Sequence, residues 1–142
     1  MALVIGREAL DRLLDHAEAL WPEEACALLI GRHRPRHCCK VTRIAFSENI
    51  AADKCQSFEI DPSLRIRLEM ELQEGEDAII GLFHSHPDGA PVPSATDARE
   101  VREPEMIWLI AGISNGKTVD TRAFLPNAEP GFDPIPLTII ND

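Results

Sequence analysis

Ile79-Ile80-Gly81-Leu82-Phe83-His84-Ser85-His86-Pro87 is the stretch that decides the fold: a short apolar run that ends in two histidines and is broken by proline. A run of this length, bounded by a turn signal, reads as a buried strand. Residues i and i+2 of a strand share a face, so His84 and His86 aim both rings at one point while Ser85 faces away from them. One ion can take both imidazoles. A catalytic zinc uses three protein ligands and a water, and Asp97 is the nearest candidate for the third. The seven residues from Pro87 to Pro93 hold three prolines and a glycine, which stop the strand and turn the chain back. Ser94 then stands where a helix begins, with Asp97 one turn inside it.

Outward from this centre the pattern is that of a mixed α/β (α+β) domain. Leu10, Leu13, Leu14, Ala17, Leu20 and Trp21 recur at helical spacing, predicting an amphipathic helix over about 7–20 that Pro22 stops. Ala25–Gly31 and Val41–Phe46 read as strands, joined by a solvated hairpin tip through the basic segment Arg32–Lys40. Residues 64–72 alternate apolar and charged, which is also a strand pattern. Asp61 as cap, Pro62 at the first helical position and strong helix formers thereafter decide for a helix. Met106–Ile113 and Thr118–Phe124 are strands about the turn Ser114-Asn115-Gly116, and Leu137–Ile140 is an added edge strand.

Length and charge narrow the function. The 142 residues fit one domain with its own core, read as about 3–125 with a tail from 126 to 142. Fourteen basic against 24 acidic residues give a net charge of −10, which argues against nucleic acid and against an anionic membrane as partner. No apolar segment approaches the ~20 residues of a membrane helix, and the N-terminus lacks a secretory pattern, so the expected compartment is the cytoplasm. The four cysteines lack a disulfide-framework spacing and are read as reduced thiols.

His84-Ser85-His86-Pro87, with Ser94 and Asp97 at their fixed spacing, resembles the signature of the JAMM (MPN+) metalloprotease family. That family carries an upstream glutamate in a segment reading roughly Pro-x-Glu-x-Cys-Gly-Leu-Leu-x-Gly. This chain offers Pro22-Glu23-Glu24-Ala25-Cys26-Ala27-Leu28-Leu29-Ile30-Gly31, which places Glu24 on the catalytic position and Ala27 where the family usually has glycine. The resemblance implies a single MPN domain: a curved mixed β-sheet flanked by helices, in a layered architecture like that of cytidine deaminases. It implies one zinc per chain on His84, His86 and Asp97. It also implies cleavage after the Gly-Gly tail of a ubiquitin-like protein or, for compact bacterial members, of a sulfur-carrier protein.

The chemistry of the residues agrees. A carboxylate close to the ion but not ligated, Glu24, suits general acid-base work on a water whose pKa the ion lowers, and Ser94 suits hydrogen bonding to the oxygen of a tetrahedral intermediate. Glu23 is the alternative acid, but the Glu-x-Cys spacing selects Glu24. Cys26, among Ala25, Ala27 and Leu28, reads as a buried inert thiol rather than a nucleophile. Two functions compete with the hydrolase. A non-catalytic scaffold of the same fold would lack the site residues, which are present. A zinc nucleotide deaminase would need a Pro-Cys-x-x-Cys pair, which is absent. The basic segment Arg32–Lys40 offers a docking patch for an acidic protein.

Overall fold

The apolar run ending in the two histidines lies in the middle of an eight-stranded sheet. The structure, a computed structural model, describes residues 1–34, 38–129 and 131–141. In chain order the elements are β1 (Ala2–Gly6), α1 (Arg7–Leu20), β2 (Cys26–Arg34), β3 (Cys38–Ser47), α2 (Pro62–Leu72), β4 (Ala78–His86), α3 (Ala95–Glu100), β5 (Ile107–Ser114), β6 (Lys117–Pro126), β7 (Phe132–Ile135) and β8 (Leu137–Ile140). The strand order is β7-β6-β5-β4-β2-β3-β1-β8, with β4–β5, β1–β3 and β1–β8 parallel and the other pairs antiparallel. The first and last strands of that order, β7 and β8, are joined by Pro136 alone. Two Cα steps span at most about 7 Å, so the ends of the sheet must approach each other and the sheet curls almost into a barrel.

Helix α1 packs inside the curve. Its Leu10, Leu13 and Ala17 are buried against Leu3 and Ile5 of β1, Leu29 of β2, Phe83 of β4, Leu109 of β5 and Ala123 of β6. Helix α2 covers the other face, where Leu64 and Leu68 meet Leu28, Ile30 and Ala45. The Asp61 side chain accepts the Ser63 N–H, as an N-cap should, and Pro62 opens the helix. Leu64 and Leu68, four apart, are buried, whereas Ile66 and Met70 are 59% and 71% exposed, which explains how an alternating sequence makes a helix.

Glycines let backbones touch at Gly31, against Lys40, and at two places around the histidine strand. A Cβ on Gly81 would meet the Ile107 carbonyl of the adjacent parallel strand, and one on Gly112 would meet the Gly89 carbonyl in the loop after the histidines. The turn after β5 takes positive φ at Asn115 (51°) and Gly116 (78°), the pairing a tight hairpin favours.

Several boundaries differ from the sequence reading. Strands β2 and β3 extend into the basic segment, because β3 is paired on its other side by β1 and the ladder continues through polar residues. Arg32, half exposed, pairs there with Asp77 at 2.6 Å and Glu76 at 3.2 Å. The tip proper, 35–37, lies outside the described residues. Strand β1 carries no alternation and too few residues to announce itself, and β7 contains a proline; both are defined by their neighbours.

Candidate active site

Strand β4 delivers its two histidines as the period of two requires. His84 is fully buried, and its Nε2 lies 3.0 Å from His86 Nε2. Helix α3 delivers the third group: Asp97 Oδ2 is 3.2 Å from His84 Nε2 and 3.0 Å from His86 Nε2. Ligands about 2.0–2.1 Å from a tetrahedral zinc stand about 3.3 Å from one another, so these three atoms are grouped as such an ion would group them. Asp97 is fixed by a capping box, in which Ser94 Oγ accepts the Asp97 N–H at 3.0 Å and Asp97 Oδ2 accepts the Ser94 N–H at 2.9 Å. His86 Nδ1 faces Ala90 O at 2.9 Å, which makes Nδ1 the protonated nitrogen and frees Nε2 as a ligand.

Glu24 enters from the segment between α1 and β2. Glu24 is buried and Glu23 exposed, the division that the Glu-x-Cys spacing anticipates. Ligand atoms of Glu24, His84 and His86 lie within 4.8 Å of one another, and Glu24 Oε1 is buried without a protein partner. A buried carboxylate oxygen left open beside three clustered donor atoms fits a divalent metal with a carboxylate next to it. Glu24, His86, Ser94, Cys55 and Gln56 line a cavity of about 380 Å³ that opens to solvent.

Two contacts lock the glutamate segment to the histidine strand. Ser85 Oγ accepts the Ala25 N–H at 2.8 Å while the Ser85 N–H donates to Ala25 O at 3.1 Å. Trp21 Nε1 donates to Pro87 O at 3.0 Å. Ser85 therefore serves the fold of the site from the far face of β4, and Trp21, packed against the main core as periodicity assigned it, adds a bond to the loop after the histidines. Phe58 stacks on His84 (4.2 Å between centroids, 17° between planes), and Trp108 meets the same ring edge-on at 5.4 Å. Neither aromatic carries a sequence signal linking it to the histidines.

The electrostatics separate the groups by task. Burial, reinforced by Asp97, Asp88 and Asp53 against the opposing His86, raises Glu24 to about 7. Burial would also raise Asp97, but its bonds to His84 and His86 outweigh that and hold the carboxyl far below the ordinary range. Burial lowers His84 and favours its neutral form, while at His86 Asp97 and the Ala90 carbonyl overcome burial and raise it. The Cys26 thiol, buried and donating toward Ser47 O, is pushed up to about 11 by burial and stays protonated. Ala27 belongs to the main core with Phe83, on the face away from the histidines.

A family model described as prokaryotic homologs of the JAB domain matches residues 6–125. The chain belongs to this family. The JAB-domain match spans Glu24, His84, His86, Ser94 and Asp97, so the JAMM resemblance carried by the two motifs is membership. A desampylase of Haloferax volcanii is 32% identical over 112 residues, covering 76% of this chain and 78% of that protein. A probable TtuB-protein conjugate cleaving protease of Thermus thermophilus is 26% identical over 125 residues, covering 88% and 76%. The solution structure of a Desulfitobacterium hafniense protein has a TM-score of 0.83 at 26% identity, covering 99% of this chain and 94% of that one.

Proposed function

We propose that this JAB-domain protein is a zinc-dependent peptidase or isopeptidase that hydrolyses the amide after the C-terminal Gly-Gly of a ubiquitin-like or sulfur-carrier protein conjugate. The observation that carries this reading is the convergence of His84 Nε2, His86 Nε2 and Asp97 Oδ2 beside the open carboxylate oxygen of Glu24. His84, His86 and Asp97 would hold the ion. When bound, one zinc per chain supplies Lewis acidity, polarising the scissile carbonyl and acidifying water.

The chain's own residues then account for the proton and the charge. Glu24 removes a proton from the attacking water and returns it to the departing amine, so its carboxylate is regenerated each turnover. Burial raises its pKa to about 7 in the ion-free protein, and a bound dication would draw it down again, favouring the carboxylate that takes the first proton. Ser94 Oγ has accepted the Asp97 N–H, which leaves its own proton free to donate to the oxygen that gains charge in the tetrahedral intermediate. The named activities of the desampylase and the conjugate-cleaving protease support a protein-conjugate substrate. A Gly-Gly tail suits the cavity, since a chain without side chains brings its carbonyl close to recessed ligands at least steric cost. Among the described residues no helix is long and apolar enough to cross a membrane.

The test is zinc content with cleavage. Wild type dialysed against zinc should carry one ion per chain and release free carrier from a carrier–peptide fusion, whereas His84→Ala and Asp97→Ala should do neither. A wild type that binds no zinc and cleaves nothing favours the scaffold alternative.

A further inference from the structure

Between β3 and α2 the chain makes a loop whose neck is closed by a bridge between Asn49 and Ile60 and by the Ile50 N–H donating to Glu59 O at 3.0 Å. No catalytic role assigned above falls on this loop, yet it touches both halves of the site. Asn49 is 6% exposed and its side-chain amide is fully used. Nδ2 donates to Glu24 O at 2.9 Å and to Ser57 O at 3.1 Å. Oδ1 accepts the Ala51 N–H at 3.0 Å and the Glu59 N–H at 3.1 Å. That is the amide's two donors and two acceptor positions, all occupied by backbone. From the opposite direction, Lys54 O of the same loop accepts the Glu24 N–H at 2.7 Å. The peptide groups on both sides of the Glu24 side chain are therefore held by one loop. Phe58, adjacent to the Ser57 carbonyl that Asn49 holds, is the ring stacked on His84.

We propose that Asn49 is a positioning residue for the hydrolytic reaction, fixing with one amide both the placement of Glu24 in the site and the seat of Phe58 on His84. The proposal rests on the hydrolase reading above. Its physical basis is that Glu24 lies between α1 and β2, outside helix and sheet, so no ladder fixes its backbone and side-chain and loop bonds must do so. A general base displaced by about 1 Å loses on the order of 10²-fold in rate. Asn49 touches no reacting atom and acts through Glu24.

The test compares wild type with Asn49→Asp, which keeps the shape and both acceptor roles but sets carboxylate oxygen against carbonyl oxygen where the two donated bonds stood. Full-length, zinc-loaded protein is assayed for kcat, KM, zinc content and hydrogen exchange at the Glu24 amide and at the Ala25 amide, which belongs to the peptide group whose oxygen Asn49 holds. Exchange at Glu24 should accelerate at least about tenfold and kcat should fall on the order of 10²-fold. KM should stay within about twofold and zinc at one per chain, a division that a merely structural residue would not produce. Asn49→Ser, which retains a single donor, covers the case in which the first variant does not fold and should show the same split at smaller size. A folded variant with unchanged Glu24 exchange and unchanged kcat overturns the proposal, as does a kcat loss that only tracks lost zinc or lost fold. If wild type itself cleaves no conjugate the hydrolase reading fails, and exchange at Glu24 still decides whether Asn49 holds it.

Discussion

Glu24→Gln should abolish turnover and at the same time stabilise the zinc-free protein at alkaline pH. The fold raises this carboxyl from 4.5 to about 7, chiefly by burying it. A raised folded-state pKa means that the fold prefers the protonated acid. The stabilising contribution is full below about pH 4.5 and is lost as pH rises through about 7, at a rate approaching 1.4 kcal/mol per pH unit between the two values. Glutamine has the shape of the protonated acid and never ionises. The variant should match wild type near pH 4.5 and exceed it by about 2–3 kcal/mol above pH 7.5. For a chain of this length that is about 6–9 °C in Tm. Thermal unfolding of both proteins in chelator at pH 5 and pH 8 measures the gap; groups that do not touch Glu24 cancel in the difference, and His86, which Glu24 raises, contributes to it. Zinc should narrow it, because a nearby dication favours the ionised carboxylate of wild type. A gap that does not grow with pH, or a variant less stable than wild type at pH 8, would refute the claim that Glu24 is held in a site that disfavours its charge.

Ser94→Ala should lower kcat about 10²-fold through the lost oxyanion donor and lower stability about 1 kcal/mol through the lost cap of α3, measured by steady-state kinetics and urea unfolding. Gly112→Ala should cost more than about 2 kcal/mol and weaken zinc binding in chelator competition, since its Cβ would displace the Gly89 carbonyl and with it the loop between the histidines and Asp97. Leu68→Ala should destabilise by about 2–5 kcal/mol while Ile66→Ala stays within about 0.5 kcal/mol, as urea melts will show if 64–72 is a helix with one buried face.

The site was more legible in the sequence than its support. His84, His86, Ser94 and Asp97 lie within one strand-turn-helix passage, where local periodicity and capping rules suffice to place them. Glu24 needed the second motif, because its neighbour Glu23 has the same chemistry and only burial separates them. The long-range contacts left no local trace. Asn49, Phe58 and Trp21 act across separations that no period encodes, and the side-chain amide of Asn49 spends all of its hydrogen bonds on backbone groups. The same holds for the fold: α1, α2 and the β5–β6 hairpin announced themselves through spacing and turn residues. β1 and β7 exist because other strands offer them ladders, and the curl of the sheet follows from Pro136 joining its two ends.

The measurement that tests the central claim most directly is cleavage of a carrier–peptide fusion in ¹⁸O-labelled water, followed by mass spectrometry of the released carrier. Zinc-loaded wild type should yield carrier ending in Gly-Gly with one ¹⁸O in its new carboxylate, and Glu24→Gln should yield none. Intact fusion after incubation with zinc-loaded wild type, or release undiminished in Glu24→Gln, would contradict it.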